Sequence, residues 1–316
     1  MKLRQIGNSS IQVAPLALGG NVFGWTADEE TSFKVLDAFV DAGFNLVDTA
    51  NTYSKWLPGH KGGESETVIG KWFKQSGKRD KVIIATKVGM EMGDGKKGLA
   101  KSYILEEVEA SLKRLQTDHI DLYQSHQDDA NTPLEETLEA YAQLIQQGKV
   151  RAIGASNYKA DRLREALKIS EEKGIPRYEC LQPHYNLYER EDYEKNLEPL
   201  AREKNIAVIP YFSLASGFLT GKYRTEEDFT KSARGGGMKK YFNERGFRIL
   251  AALDEVAKFE ETSLTAVAIA WLIAQPTITA PIASATSLRQ VAHLVMGAEL
   301  KLTPVSIEAL DKASAY

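Results

Sequence analysis

The alternation of short apolar segments with amphipathic stretches is the feature of this sequence that most constrains its fold. Between the apolar segments lie stretches with the hydrophobic period of an α-helix, at 28–43, 102–116, 133–148, 161–174, 194–205 and 246–263. The apolar segments themselves are 14–20, 44–50, 82–88, 120–126, 150–156, 178–184, 206–212 and 277–285. Eight strand–helix units in one chain predict an α/β fold, a closed (β/α)8 TIM barrel of parallel strands.

The main alternative is an open, doubly wound sheet. Its phosphate-binding signature, a strand followed by G-x-G-x-x-G and a helix, is missing from the sequence. Residues 1–13 are typical of a β-hairpin that turns at residues 7–9, and we expect this hairpin to close the bottom of the barrel. Because no linker or repeat divides the chain, we interpret residues 1–316 as a single barrel domain.

One predicted connection, residues 215–246, is too long for an ordinary loop between a strand and a helix. It follows the seventh predicted strand, and loops of this length are usually either functional or disordered. Its basic part, 230–242, is either a lid over the barrel mouth or a solvated loop.

Composition excludes several classes of function. The net charge of −3 gives no electrostatic reason to expect a nucleic acid or an anionic membrane as partner. The start of the chain lacks the apolar core of a signal peptide, and Leu264–Ala274, the longest apolar stretch, is too short to span a bilayer. The single cysteine, Cys180, fits a cytoplasmic protein. The scattered histidines indicate no metal site.

Titratable side chains stand where three consecutive predicted strands end, on the face that carries the active site of a parallel barrel. They are Asp48, with Tyr53 just beyond it, then Lys87 and His126. Each alone is more typical of a turn, a packing aromatic or a surface charge, but their convergence predicts a catalytic site. Lys87 paired with Asp48 is expected to lower the pKa of the Tyr53 phenol from about 10, which makes it a general acid. His126 is expected to orient the substrate oxygen.

These residues lie in motifs that resemble the aldo-keto reductases. The motifs are "DTANTY", "TK" at 86–87, "IDLYQSH", "GKVRAIGASNY", "LQPHYNLYER" and "IPYFSLASGFLTGKY". They occur in the family's order, and "SGFLTGKY" is more similar to the bacterial and potassium-channel β-subunit branch than to the steroid-reducing branch. The resemblance implies a barrel that reduces carbonyl groups with a nicotinamide cofactor. It implies that Tyr53 donates the proton, while Asp48, Lys87 and His126 tune or orient it.

The same resemblance implies the cofactor contacts. Ser156, Asn157 and Gln182 would bind the nicotinamide carboxamide, and Tyr211 would stack on its ring. The other implied contacts are Gly20, Asn21, Asp48, Phe212, Ser213, Leu214, Ser216, Gly217, Leu219, Gly221, Lys222, Ser284, Thr286, Arg289 and Gln290.

One departure from the family pattern affects the choice of cofactor. His293 and Leu294 stand where the family commonly carries a Glu–Asn pair that holds the adenosine end. NADPH is the expected cofactor from the resemblance, and this departure makes NADH the alternative. The residues expected to contact the substrate are Tyr53, His126 and the aromatic side chains of Phe23, Trp25 and Trp56.

Three functions remain open on the sequence alone. The leading one is reduction of a small-molecule aldehyde or ketone, with hydride from the nicotinamide and a proton from Tyr53. A Schiff-base aldolase would use Lys87 as nucleophile, which requires a neutral amine, whereas Asp48 should keep it charged. A cofactor-bound regulatory subunit with weak reductase activity is the non-enzymatic alternative.

Overall fold

The predicted (β/α)8 barrel is present in the computed structural model, which describes residues 1–316. Its strands are β1 (Arg4–Gln5), β2 (Gln12–Val13), β3 (Ala17–Gly19), β4 (Leu46–Asp48), β5 (Ile83–Val88), β6 (Ile120–Ser125), β7 (Val150–Ser156), β8 (Tyr178–Gln182), β9 (Ala207–Val208) and β10 (Ile282–Ala283). The strands from β3 onward pair in parallel in the order β10–β3–β4–β5–β6–β7–β8–β9. Backbone bonds close the ring between its ends, because the Thr279 amide donates to the Val208 carbonyl at 2.7 Å.

Helices cover the outside of the barrel. They are α1 (Glu29–Asp41), α2 (Glu64–Ser76), α3 (Lys101–Leu115), α4 (Leu134–Gln146), α5 (Ala160–Lys173), α6 (Glu198–Lys204), α7 (Glu244–Phe259), α8 (Leu264–Ala274), α9 (Leu288–Glu299) and α10 (Pro304–Ala313). The stretch 194–205, predicted as one helix, consists of a π-helical turn at Tyr193–Leu197 and the short α6. None of the helices is both long and apolar enough to cross a membrane.

The first helix illustrates why these segments fold as they do. The Asp28 carboxylate accepts a hydrogen bond from the Thr31 amide at 2.8 Å and so caps the first turn of α1. Val35, Leu36 and Phe39 then fall on one face and are buried against the barrel. The helix is therefore specified by one polar cap and one apolar stripe.

The N-terminal hairpin closes the bottom of the barrel, as predicted. Strands β1 and β2 pair antiparallel, and the side chains of Ile6, Ile11 and Val13 are at most 1% exposed. These three side chains form a 13-residue apolar cluster with residues that point inward from the barrel strands. The barrel interior is therefore sealed from water at this end.

The long connection 215–246 is folded. It contains three 3₁₀ segments, at Ala215–Thr220, Glu226–Lys231 and Gly235–Tyr241. Within it, Met238 and Tyr241 are buried, and the Tyr241 ring stacks on Phe218 with 5.0 Å between the ring centroids. The stretch 230–242 is therefore a packed segment rather than a solvated loop.

Candidate active site

The interior of the barrel changes from apolar to polar along its strands. Leu46 and Ala85 belong to the apolar cluster at the bottom, and side chains two residues further along a strand point to the same side. This alternation brings Asp48 and Lys87 into the upper part of the interior, where they are 1% and 0% exposed. The parallel register that pairs β4 with β5 places the two strand ends side by side.

The ammonium group of Lys87 is fully hydrogen-bonded. It donates to the Asp48 carboxylate at 2.7 Å, to the Thr49 backbone carbonyl at 2.7 Å and to the Tyr53 hydroxyl oxygen at 3.0 Å. An ammonium has three N–H donors and no acceptor, so these three partners satisfy it completely. Lys87 therefore acts as a fixed positive charge that holds the phenol oxygen of Tyr53 in place.

Tyr53 stands on the turn that follows β4, half-buried at the mouth of the barrel. Its oxygen accepts the bond from Lys87, while its own hydroxyl reaches the Asp48 carboxylate only at 3.4 Å. The His126 ring lies edge-on to the Tyr53 ring, with 5.9 Å between the centroids. The predicted set of Asp48, Tyr53, Lys87 and His126 is thus brought together, and the phenol proton is only weakly held.

Burial controls the protonation of this group. It raises the pKa of the Tyr53 phenol well above its ordinary value of 10.0, and the Asp48 carboxylate raises it further. Burial also lowers the pKa of Lys87 from 10.5, against the opposing attraction of Asp48. Burial, together with the Lys87 charge, holds the pKa of His126 well below 6.5. At neutral pH, Tyr53 is therefore protonated and His126 is neutral.

The prediction that Lys87 lowers the pKa of Tyr53 is therefore wrong. It took account of the ammonium alone. In a site so removed from water, the loss of solvation and the adjacent carboxylate of Asp48 outweigh that charge. The Lys87 ammonium thus holds the phenol oxygen in place without bringing the pKa of Tyr53 below its ordinary value.

The second oxygen of the Asp48 carboxylate is held by two glutamines. Gln182 donates to it at 2.9 Å and Gln124 at 3.3 Å. Gly154 provides the space, because a Cβ there would come within 3.0 Å of the Gln124 side chain. Both oxygens of Asp48 are thus bonded, and the amide of Gln182, predicted to bind the cofactor, also donates to the carboxylate that pairs with Lys87.

A second chain of contacts links the ends of β7 and β9. The Tyr211 hydroxyl donates to the Asn157 side-chain oxygen at 2.7 Å, and the Asn157 amide donates to the His126 backbone carbonyl at 2.9 Å. The His184 ring stacks on Tyr211 with 5.2 Å between the centroids. The buried Ser156 donates to the Gln182 carbonyl at 3.0 Å. These contacts hold the predicted nicotinamide-binding residues beside the Tyr53 site.

The segment after β9 has a strained backbone. Phe212, Ala215 and Ser216 have φ values of 54°, 47° and 56°, and Gly217 and Gly221 have φ values of 101° and 75°. Left-handed backbone at a residue other than glycine costs of order 1–3 kcal/mol and is concentrated at functional sites. Backbone amides in such a conformation form concavities that bind anions.

The side chains of this segment differ in what they can reach. Lys222 folds back across Gly217, whose added Cβ would lie 2.9 Å from the lysine side chain, and it forms no ion pair. Ser213 and Leu219 are buried, at 1% and 0% exposed, so neither offers an exposed side chain. Leu214 is half-buried beside them. A free cation therefore lies next to the strained backbone.

The remaining predicted cofactor residues surround the ends of β3 and β10. Ser284 donates to the Asn21 side-chain oxygen at 2.5 Å, next to the buried Gly20. The Gln290 side chain accepts from the Thr286 amide at 2.8 Å. On α9 itself, Arg289 is exposed, His293 is half-buried and Leu294 is buried in the core.

Sequence comparison identifies the family of this chain. The Aldo/keto reductase family matches residues 15–315. This chain belongs to the aldo/keto reductase family. The aldo-keto reductase YhdN of Bacillus subtilis is 37% identical to it over 85% of this chain and 78% of YhdN. The uncharacterized oxidoreductase YrpG of Bacillus subtilis is 35% identical over 98% of this chain and 95% of YrpG. The aldo-keto reductase str7 of Strobilurus tenacellus is 31% identical over 98% and 88%, respectively.

Membership confirms the resemblance drawn from the motifs and the predicted class of enzyme. As an aldo/keto reductase, this protein is an NAD(P)H-dependent oxidoreductase, and aldo/keto reductases act on small-molecule carbonyl compounds. The four titratable residues at its strand ends lie within the matched range. No group of three histidine, cysteine or carboxylate side chains is placed to hold a metal ion.

The three aromatic residues predicted to line the mouth of this aldo/keto reductase lie in different surroundings. Trp25 and Trp56 meet edge to face with 5.3 Å between their centroids, and Trp56 lies 6.3 Å from the Tyr53 ring. Phe23 is instead completely buried in the outer hydrophobic core, so its placement at the mouth is a wrong prediction. Its backbone carbonyl accepts a bond from Ser54 at 3.1 Å, which ties the two mouth loops together.

Sequence reasoning missed two residues of this region. Gln124 could have been found, because it lies two residues after the inward-facing Leu122 on the same strand. Arg234 had no such signal, since it lies in an irregular segment without periodicity. In the structure, its guanidinium lies over the Trp25 ring, 5.2 Å from the centroid.

Proposed function

We propose that this aldo/keto reductase reduces an aldehyde or ketone to the alcohol, with NADPH as the reductant and Tyr53 as the proton donor. The observation that carries the proposal is the bond from Lys87 to the Tyr53 oxygen at 3.0 Å. Because Lys87 occupies a lone pair of that oxygen, the hydroxyl hydrogen is directed away from the ammonium. It is then available to a carbonyl oxygen at the barrel mouth.

The neighbouring groups fit the requirements of that proton transfer. Tyr53 is protonated at neutral pH, as a general acid must be before it donates. When it gives up the proton, the phenolate forms within 3.0 Å of the Lys87 ammonium, which stabilises the new negative charge. The neutral His126 ring can hydrogen-bond the same carbonyl oxygen and orient it.

The chain also carries the groups that a nicotinamide cofactor requires. We propose that the strained backbone from Phe212 to Gly221, with Lys222, holds its pyrophosphate. Tyr211, stacked on one face by His184, offers its other face to the nicotinamide ring. When bound, the cofactor supplies the hydride for the carbonyl carbon. We assign the remaining cofactor contacts to Ser156, Asn157, Gln182 and the residues around Asn21.

The choice of NADPH rests on exposed positive charge at the start of α9. Arg289 is exposed and makes no ion pair, so it can meet the additional phosphate that distinguishes NADPH from NADH. Thr286 and Gln290 are held beside it by their mutual hydrogen bond. Leu294 packs into the core and cannot provide the amide contact expected of an asparagine there.

The aldolase alternative is disfavoured by the surroundings of Lys87. A Schiff-base lysine must be neutral and must reach the substrate, yet Lys87 is 0% exposed and all three of its donors are occupied. Borohydride reduction in the presence of a carbonyl substrate tests this directly. A stable adduct on Lys87, found by mass spectrometry, would support the aldolase.

The proposed function is tested by following NADPH oxidation with 4-nitrobenzaldehyde or methylglyoxal, alongside fluorescence titration with NADPH and NADH. We expect reduction of these carbonyl compounds and a lower Kd for NADPH than for NADH. Binding without turnover of any aldehyde or ketone would instead support the regulatory-subunit alternative. Tighter binding of NADH would contradict the role given to Arg289.

A further inference from the structure

Arg234 is a cation of the long connection that lies against a residue of the barrel mouth and has no ion-pair partner. Its guanidinium lies over the Trp25 ring, 5.2 Å from the centroid. One of its terminal nitrogens, Nη2, is shielded from solvent and has no hydrogen-bond acceptor. A guanidinium held partly out of water without an anion is destabilising, so such an arrangement is typical of a site that receives one.

Two other cations of the same connection are paired. Arg224 forms a two-pronged ion pair with Asp254, at 2.7 Å for both bonds. Lys231 pairs with Asp228 at 2.7 Å. Two exposed cations of the connection thus have carboxylate partners, whereas Arg234, which is more buried, has none. This contrast argues against Arg234 being a general surface charge.

The unpaired guanidinium belongs to the same pocket as the proposed proton donor. Trp25, on which it lies, contacts Trp56 edge to face, and Trp56 in turn faces the Tyr53 ring. Arg234 is close enough to Tyr53 that its charge opposes, in part, the rise in the pKa of that phenol. The pocket thus has aromatic walls, a proton donor at one end and a free cation near it.

We propose that Arg234 recognises a carboxylate on the substrate, so that the preferred substrates of this enzyme are carbonyl compounds that also carry an anionic group. This inference rests on the proposed reductase function and specifies its substrate class. A guanidinium presents parallel N–H donors that match the two oxygens of a carboxylate. Trp25 and Trp56 suit the flat or apolar part of the substrate between the carboxylate and the carbonyl.

The test compares two aldehydes that differ mainly in charge, 4-carboxybenzaldehyde and 4-nitrobenzaldehyde. Their para groups are planar and similar in size, but only the carboxylate is an anion. The variants are Arg234→Gln, Arg234→Lys as the conservative replacement, and Lys239→Gln as the matched control. Lys239 is exposed on the 3₁₀ segment Gly235–Tyr241, which Arg234 directly precedes, so its replacement removes an equal charge from the surface of the same connection.

We expect Arg234→Gln to raise the ratio of KM values, carboxy over nitro, by about 10- to 100-fold, the range for a lost hydrogen bond to a charged group. Arg234→Lys should recover part of that ratio, and Lys239→Gln should leave it unchanged. Equal changes for both aldehydes in Arg234→Gln, or an equal effect of Lys239→Gln, would overturn the proposal. Weaker NADPH binding in Arg234→Gln, with an unchanged ratio, would also overturn it by assigning the residue to the cofactor.

Calorimetric titration with terephthalate separates this inference from the proposed function, because it requires no turnover. If wild type reduces neither aldehyde, the proposed function fails. In that case, terephthalate binding that is lost in Arg234→Gln but kept in Lys239→Gln would still support anion recognition at Arg234. Equal binding by wild type and Arg234→Gln would refute it.

Discussion

The two ends of the barrel interior are built from the same strands but have opposite chemistry. At the bottom, Leu46 and Ala85 pack with Ile6 and Ile11 of the N-terminal hairpin into an apolar cluster. Two residues further along their strands, the interior is occupied by Asp48, Lys87 and the glutamines that bond to them. Because side chains alternate between the two sides of a strand, residues two apart point to the same side. A step of two residues along a strand therefore leads from the apolar cluster to the polar part of the same interior.

The difference matters because the sealed apolar end keeps water away from the charged side chains at the polar end. The hairpin seals the bottom, so the ion pair of Lys87 and Asp48 lies in a closed interior and not in a water-filled channel. Charges so removed from water are stable only with complete hydrogen bonding, which both residues have. The same dryness raises the pKa of Tyr53 and lowers that of His126.

Lys87→Met should have the largest effect and should affect both activity and stability. It leaves the buried Asp48 carboxylate without its counter-ion, which typically costs about 3–5 kcal/mol in the free energy of unfolding. It also releases the Tyr53 oxygen, so kcat/KM for aldehyde reduction should fall by about 10²–10⁴-fold. Urea unfolding and NADPH oxidation measure the two effects, with the exposed Lys113→Met as control. Wild-type activity in a stably folded Lys87→Met would refute the positioning role.

Ile11→Ala should affect stability alone. It removes a 1%-exposed side chain from the sealed bottom, and such truncations cost about 2–5 kcal/mol in the free energy of unfolding. The kcat of the folded variant, measured well below its unfolding transition, should stay within about threefold of wild type because the Tyr53 site is unchanged. Gln12→Ala, at the exposed neighbouring residue where β2 begins, is the matched control. A large loss of kcat in Ile11→Ala would contradict the division between the two ends.

The pH dependence of the reaction should show the smallest effect. Since the pKa of His126 lies well below 6.5, the ring is already neutral above that pH and contributes no change. Since the pKa of Tyr53 lies well above 10.0, the proton-donating form persists at mild alkaline pH. We therefore expect kcat to vary less than about threefold from about pH 6.5 to about pH 8.5, with the alkaline fall set by Lys87. An inflection near neutral pH that disappears in His126→Gln would contradict this assignment.

The sequence predicted the barrel and the meeting of four titratable side chains at one end of it because both depend on regular spacing. Strand–helix alternation specified the fold, and parallel strands necessarily bring Asp48, Lys87 and His126 to one face. The direction of the Tyr53 pKa shift could not be predicted in this way, since it depends on how completely the folded chain excludes water. The position of Arg234 was equally inaccessible, because an irregular segment has no period from which to infer where a side chain points.

We propose that Tyr53 supplies the proton, and single-turnover kinetics of Tyr53→Phe measure that step separately from cofactor binding. Enzyme with bound NADPH is mixed rapidly with 4-nitrobenzaldehyde, and the loss of NADPH absorbance is followed. We expect an NADPH Kd close to that of wild type and a single-turnover rate constant lower by about 10²–10⁴-fold. A rate constant equal to that of wild type would contradict it.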